Sequence, residues 1–530
     1  MNSAPASTSF TGAVAAPHTV ATDAGARAYR DGGNAIDAAI AAAAVLTVTY
    51  PHNVALGGDL IALVRTPDGQ LWCINSSGWA GERVDPVGLR NRHGTRLPAL
   101  GADTVTVPGG VRGWKHLRAL GSRLSWSRLL EDAHEAAARG VPVSTSLSEH
   151  LRDPEHDGLV GTGDFDRVFR PHGRALAQGE LLRQNELAES LDTLRREGPD
   201  AFYEGELAER MVRFLKKRGS VLTATDFAEF APEITEPLTV SFRGLTVATS
   251  PPNTHGFVLL RALRAIEELG LTDPLGDELG TLMQIFHRAN ALRTRWLADP
   301  RFAHVDVGHL IHGDLQTLSS PEPPSATAEL VPHGDTVGIA AADSDGYGIS
   351  LIQSVYGAFG SGLIDPDTGI LFHNRGTGFS LEDTSPNVIA PRKRPAHTLM
   401  PSMTTDGTAV RHVLSTMGGQ GQPQIIGQLL LRAVGGASIE SALSAPRAIV
   451  GLQFDGITTE TVSMEADLGV TSRRSLQGRG FPVHEVPVHT EGLGQSNAVA
   501  VDDNGAMTAA SDPRSDGAAS VVNYSRHRAV

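Results

Sequence analysis

A threonine at the head of a strand-forming run, directly after a loop, can become a nucleophile that carries its own base. Thr336 sits in HGDTVGIAAADSDGYGISLIQSV (residues 333–355), two apolar runs joined by the turn-rich DSDG. The segment before it, residues 314–335, is rich in Pro, Ser and Thr and lacks periodicity, so it reads as an exposed loop or linker. Most threonines in such a place simply cap a turn. If the Asp335–Thr336 peptide is cut, however, the freed α-amino group lies within reach of the Thr336 hydroxyl and can take its proton. A loop that ends at that bond and a strand held in a sheet suit such a cut, because the new terminus stays fixed while the loop moves away.

Other chemistry-bearing patterns are weaker. The chain has no G-x-S-x-G elbow, no G-x-x-x-x-G-K-[ST] phosphate loop and no G-x-G-x-x-G opening a helix. HEVPVH (484–489) places its histidines five apart with Pro487 between them, which spoils the helical face a zinc pair needs. A single cysteine, Cys73, excludes an intramolecular disulfide, and no Cys/His run has zinc spacing. Neither a metal nor a cofactor is expected.

The elements that would position Thr336 are readable in outline. GGNAIDAAIAAAAVLTVTYP has Asn34 as N-cap, Asp37 in the first turn, an alanine-rich body and Pro51 as a stop; it is apolar all round, so a helix buried against a sheet is expected. Residues 56–78 read as a hairpin around PDG, and NAVAVDDNGAMTAASD as another around DDNG. From about Leu129 to Leu269 charged helical segments dominate. ISLIQSV, GILFHNRG and RHVLSTMGG read as strands, and QIIGQLLLRAV as a helix.

The 530 residues allow several domains or one large layered unit, since single cores stop growing at roughly 250–300 residues. The composition is ordinarily globular, with 40% hydrophobic and 20% charged residues. A net charge of −14 argues against nucleic acid as a partner. The start of the chain lacks a basic and then apolar leader, and no run approaches the ~18 apolar residues of a membrane span. The expectation is a cytoplasmic protein with a small-molecule substrate and no membrane partner.

GGNAIDAA, VPGGVRGW, GPDAFYEGELA, LTATDFAEF, FRGLTVATSPPNTHG, GDTVGIAAADSDG, FGSGLIDPDTGIL, PNVIAPRKRP, MGGQG and ASDPRSDG together span nearly the whole chain. On them the sequence resembles the γ-glutamyltransferase family of N-terminal-nucleophile (Ntn) hydrolases. The resemblance implies an α+β fold, an αββα sandwich, made as a precursor that cleaves itself between Asp335 and Thr336. Residues 1–335 would form a large subunit containing the helical half, and 336–530 a small subunit carrying the nucleophile, with a dimer of that unit left open. Thr336 would attack an amide carbonyl and the acyl-threonine be resolved by water or an amine. Gly418 and Gly419 would form the oxyanion hole, although a Gly-Gly pair alone reads as a turn. Ser354 takes the place of a second threonine that supports the nucleophile.

Departures from the family pattern bear on substrate. Ser77 stands where the family holds an arginine for the substrate α-carboxylate, Tyr356 replaces an asparagine, Gly378 replaces the acid that takes the α-amino group, and His397-Thr398 replaces a serine pair. Arg375 is gained. It reads either as a new fork for a substrate carboxylate or as a surface residue paired with Glu382 or Asp383. This combination resembles the oxamate amidohydrolase subgroup and relatives in actinomycete secondary metabolism. Arg375, His397, Thr398 and Tyr356 are the expected substrate contacts. A glutathione hydrolase or γ-glutamyl transferase with unfamiliar contacts, and an uncleaved binding protein, remain as alternatives.

Overall fold

The computed structural model describes residues 7–159, 161–314 and 335–527. Two antiparallel sheets lie face to face. The first has seven strands in the order Ala518–His527, Ser7–Ala16, Asp335–Asp343, Gly348–Tyr356, Asp59–Arg65, Leu71–Ser76 and Glu233–Thr235. The second has six, Met507–Ser511, Ser496–Val501, Val410–Thr416, Ser402–Thr405, Leu245–Thr249 and Leu238–Phe242. Both parts of the chain, before and after residue 335, feed strands into each sheet, so a cut there would divide the covalent chain and leave the fold as one unit.

Period-two patterning explains the layering. Along Asp335–Asp343, Val337, Ile339 and Ala341 face an outer helical core, while Ala340 and Ala342 join Ile61, Leu63, Ile352, Met403, Val413 and Val499 between the sheets. The helix Ala35–Thr49 lies in that outer layer with every residue buried, as its all-round apolar character requires. Its start is fixed by a capping box between Asn34 and Asp37. A second helical layer, including Phe257–Glu268, Leu279–Trp296 and Gln422–Val434, covers the other sheet. The result is an αββα sandwich.

Both expected hairpins form, pairing Asp59–Arg65 with Leu71–Ser76 and Ser496–Val501 with Met507–Ser511. Two sequence expectations change. The region from Leu129 to Leu269 is not wholly helical: Glu233–Thr235, Leu238–Phe242 and Leu245–Thr249 are strands, two of them edges of the two sheets. GILFHNRG is not a strand either. It makes only isolated bridges, Gly57 with Phe372 and Ile364 with Leu371, and then turns into a short 3-10 helix, Arg375–Gly378. The expected loop before Thr336 lies, between residues 315 and 334, outside the described residues.

Candidate functional site

Register places three polar side chains in a row. Thr336 pairs with Ser354 on the next strand, and Ser354 pairs with Asp59 on the one after. All three belong to the face that looks into the space between the sheets, where Ile61, Ile352 and Ala340 also point. Thr336 is 2% exposed.

The surroundings of the Asp335–Thr336 peptide form a directed chain of hydroxyls. Thr336 Oγ1 donates to Ser354 Oγ at 3.0 Å, and Ser354 Oγ donates to the Asp335 carbonyl at 2.8 Å. The Tyr356 N–H donates to the same Ser354 oxygen at 2.8 Å, which fixes that hydroxyl's orientation. A carbonyl can only accept, so the direction of the chain is set. Attack of Thr336 Oγ on the Asp335 carbonyl carbon could pass its proton to Ser354 while Ser354 passes its own to the carbonyl oxygen that gains charge. Asn53 Nδ2 donates to the Thr336 carbonyl at 3.4 Å.

Gly418 and Gly419 follow the end of Val410–Thr416, where the ladder stops at the Thr416–Ser496 pair and the Met417 N–H to Gln495 carbonyl bond. They have φ of 143° and 50°, values that side chains rarely adopt. The approach of this strand end to the nucleophile strand is close. A Cβ on Gly338 would lie 2.8 Å from the Thr416 nitrogen, so the sheets meet there with room for glycine alone.

Asp59 was not anticipated. It is fully buried, and Oδ1 accepts the Gly78 N–H at 3.0 Å, while His397 Nε2 lies 3.3 Å from Oδ2 and His373 Nδ1 3.5 Å from Oδ1. The Leu399 N–H donates to His397 Nδ1, so the neutral ring carries its proton on Nε2 and donates it to Asp59. Burial pushes the Asp59 carboxyl up, but His373, the His397 hydrogen bond and Arg375 outweigh it and leave the acid below its ordinary range. Burial, reinforced by Arg375, pulls His397 down to about 3. The signal for Asp59 was present in LGGDLIALV, an acid at the start of an otherwise apolar strand.

Arg375 is brought to this cluster by its neighbours. His373 N–H donates to the Gly57 carbonyl, Asn374 N–H to the Val355 carbonyl, and Asn374 Oδ1 accepts from Gly357. Gly57 and Gly58 permit this approach: a Cβ at either would lie 2.2 Å from the Leu371 oxygen or 2.4 Å from the Ser354 oxygen. The surface alternative for Arg375 is overturned. Asp383 pairs with Arg90, and Arg375 is 1% exposed with its guanidinium carbon 3.8 Å from the centre of the Tyr356 ring. None of its three guanidinium nitrogens has a hydrogen-bond partner among the described residues. Burial lowers its pKa to about 10, so it remains a cation at neutral pH. Tyr356 sits at a break in strand register with φ of 81°, a backbone conformation rare outside glycine.

The remaining expected contacts divide. His397 joins the cluster, whereas Thr398 is half-buried and its side chain makes no polar contact with it among the described residues. Ser77 is buried in a neutral network, donating to Asn75 Oδ1 at 2.7 Å and accepting from Asn253 Nδ2 at 3.2 Å. Gly378 leaves no space for an acid, since a Cβ there would lie 2.9 Å from the Ala396 oxygen. No helix among the described residues is long and apolar enough to cross a membrane.

Comparison with known proteins agrees with this architecture. Residues 21–522 match the gamma-glutamyltranspeptidase family. The chain is 35% identical to the glutathione hydrolase-like YwrD proenzyme of Bacillus subtilis over 96% of its own length and 97% of that protein's. It is 34% identical to the oxamate amidohydrolase proenzyme of Klebsiella pneumoniae over 96% and 98% of the two chains. Among solved structures, cephalosporin acylase from Bacillus halodurans superposes with a TM-score of 0.88 at 30% identity, covering 98% of this chain and 97% of that one. With a sandwich of Ntn-hydrolase type and relatives that are hydrolases and acylases across its full length, the chain is an enzyme of the gamma-glutamyltranspeptidase family.

Proposed function

We propose that this enzyme is an autoprocessing amidohydrolase that removes a short, carboxylate-bearing acyl group, of oxamate or oxalyl type, from nitrogen. The observation that carries the reading is the Arg375 guanidinium, buried against Tyr356 without a hydrogen-bond partner. A buried cation without hydrogen bonds is costly. A substrate carboxylate docked on its planar fork would repay that cost with two charge-assisted hydrogen bonds. Asp59 supplies a counter-charge nearby but is occupied by the Gly78 N–H and His397.

Maturation begins with Thr336. Its oxygen attacks the Asp335 carbonyl, the peptide nitrogen leaves as the new α-amine, and water hydrolyses the resulting ester to leave residues 336–530 as a chain beginning with threonine. In the mature enzyme that amine takes the hydroxyl proton as Thr336 Oγ attacks the substrate carbonyl. The Gly418 and Gly419 amides receive the oxyanion, and the amine gives its proton to the departing nitrogen. Water then cleaves the acyl-threonine, releasing a dicarboxylate and restoring the hydroxyl. Ser354 holds the nucleophile, and His397 holds Asp59 through its Nε2–H.

The glutathione hydrolase-like name of the Bacillus relative keeps γ-glutamyl cleavage as a second reading. Against it, Ser77 and Gly378 offer neither a cation nor an anion to an amino-acid head group. The two separate in an intact-mass experiment with oxalyl, glutaryl and γ-glutamyl amides: an acyl adduct on the chain from Thr336 is expected with the oxalyl amide. An adduct from the γ-glutamyl amide alone would overturn the proposal. The reducing interior of a cell suits the sole cysteine, Cys73, a buried thiol whose pKa burial pushes to about 12.

A further inference from the structure

Four histidine rings gather near Asp335, in a region that the proposed acyl chemistry does not use. His52 and His150 lie with ring centres 4.7 Å apart and their planes tilted by 36°, His156 lies 5.6 Å from His150, and Tyr50 separates His52 from His18. Glu491 faces the first pair. One ring nitrogen from His52, one from His150 and a carboxylate oxygen of Glu491 all lie within 4.8 Å of one another.

Hydrogen-bond logic makes this a ligand set with spare capacity. Ser146 Oγ is 3.0 and 3.1 Å from the two Glu491 oxygens, which can only accept, so the serine proton points to the carboxylate. The remaining contact, His52 Nε2 to Ser146 Oγ at 2.9 Å, must then be an N–H donated by the histidine. His52 Nδ1 is left as a lone pair in a residue with 0% exposure and no partner among the described residues. His150 faces the same carboxylate with Nε2, 3.6 Å from Glu491 Oε1, where a cation would take the place of the ring proton, and its Nδ1 is buried and unpartnered among the described residues. Buried polar atoms without partners are rare in native proteins and ask for an explanation.

We infer that His52, His150 and Glu491 form a binding site for a first-row divalent cation of the zinc class. Two imidazoles and one carboxylate are the donor set that suits zinc and cobalt, with further positions open to water. Ser146, bonded to both His52 and Glu491, would orient these ligands from the second layer. His150 and Glu491 are only partly buried, which gives the ion a path from solvent. The residues are drawn from positions 52, 150 and 491, so no local spacing announces them.

The position gives the ion a structural consequence. His52 and His150 precede residue 335 and Glu491 follows it, so after the proposed cleavage the metal would hold the large and small chains together. His150 Nε2 also lies 3.9 Å from Asp335 Oδ1, placing the ion beside the residue that becomes the large chain's new end.

The test uses metal-stripped full-length protein titrated with zinc against a chromophoric chelator, alongside His52→Asn and Glu491→Gln, and the cobalt(II) spectrum of the wild type. Wild type should take up one equivalent, with affinity falling at least ~100-fold in each variant on loss of one of three ligands. Cobalt should show the intense visible bands of four-coordination. Absence of saturable zinc uptake, equal affinity in a correctly folded variant, or a weak six-coordinate cobalt spectrum would each overturn the site. Should either variant misfold, the wild-type titration and spectrum decide. Thr336→Ala, which should stay uncleaved, should bind zinc as wild type does, so this result stands apart from the catalytic proposal.

Discussion

Replacing Arg375 by methionine should move activity and stability in opposite directions. In the substrate-free protein the guanidinium is 1% exposed, makes no hydrogen bond among the described residues, and is compensated chiefly by the Tyr356 ring at 3.8 Å. A desolvated cation–π contact is worth about 2 kcal/mol, against an effective penalty of several kcal/mol for burying an ion. Methionine fills much of the same volume without the charge. Arg375→Met should therefore stabilise the free enzyme by ~1–3 kcal/mol in urea unfolding. The same change removes one partner of a buried charge pair from the substrate complex, a loss of ~2–4 kcal/mol, or ~30- to 1000-fold in kcat/KM for oxamate-type amides. Arg375→Lys should recover only part of that, because an ammonium cannot present a planar fork. The assay pairs urea melts with ammonia release from oxamate, after intact mass has confirmed normal processing. A variant that is less stable and equally active would refute the reasoning, since Arg375 would then be a structural cation.

Other consequences can be checked alongside. Ser354→Ala should slow maturation by ~100-fold or more, because it breaks the proton path between Thr336 and the Asp335 carbonyl, while Ser354→Thr keeps the hydroxyl and should restore it; time-resolved denaturing gels read both. Gly418→Ala, at a φ of 143° and with its Cβ 2.3 Å from Ile425 Cδ1, should lower kcat by ~100-fold with little change in KM, and unchanged turnover would remove these amides as oxyanion donors. His397 binds its proton near pH 3 in the folded protein, against about 6.5 unfolded. The unfolded chain thus binds more protons between those values, and stability should fall as pH drops through that window by up to ~1.4 kcal/mol per pH unit. His397→Gln should flatten that acid limb in urea melts taken from pH 7 to 4.

What could be read from the sequence was local. The capped, all-apolar helix after Asn34, the hairpins around PDG and DDNG, and the strand after Thr336 follow from period, caps and turn residues, which neighbouring side chains largely fix. The strands between Glu233 and Thr249 were hidden because they are short and set among helices, and two of the three complete sheet edges that only the tertiary fold creates. GILFHNRG has the composition of a strand, but Gly57 and Val355 bind its backbone at isolated points and no continuous partner is available. Thr336 was visible from its place after a loop at the head of a strand, and Ser354, His397 and Arg375 through a family resemblance. Their environment was not: the burial of Arg375 depends on Tyr356, and Asp59 meets His373 and His397 across more than 300 positions of sequence.

The central claim is that one residue, Thr336, both cuts the chain and carries the acyl group. Intact mass and N-terminal sequencing of purified wild-type protein, before and after brief exposure to an oxalyl amide at low pH quench, test it directly. Two chains should be present, the smaller beginning at Thr336 and gaining the mass of one acyl group, with Thr336→Ala remaining a single unmodified chain. An active wild-type protein that stays in one piece, or an adduct that maps to another residue, would contradict the account.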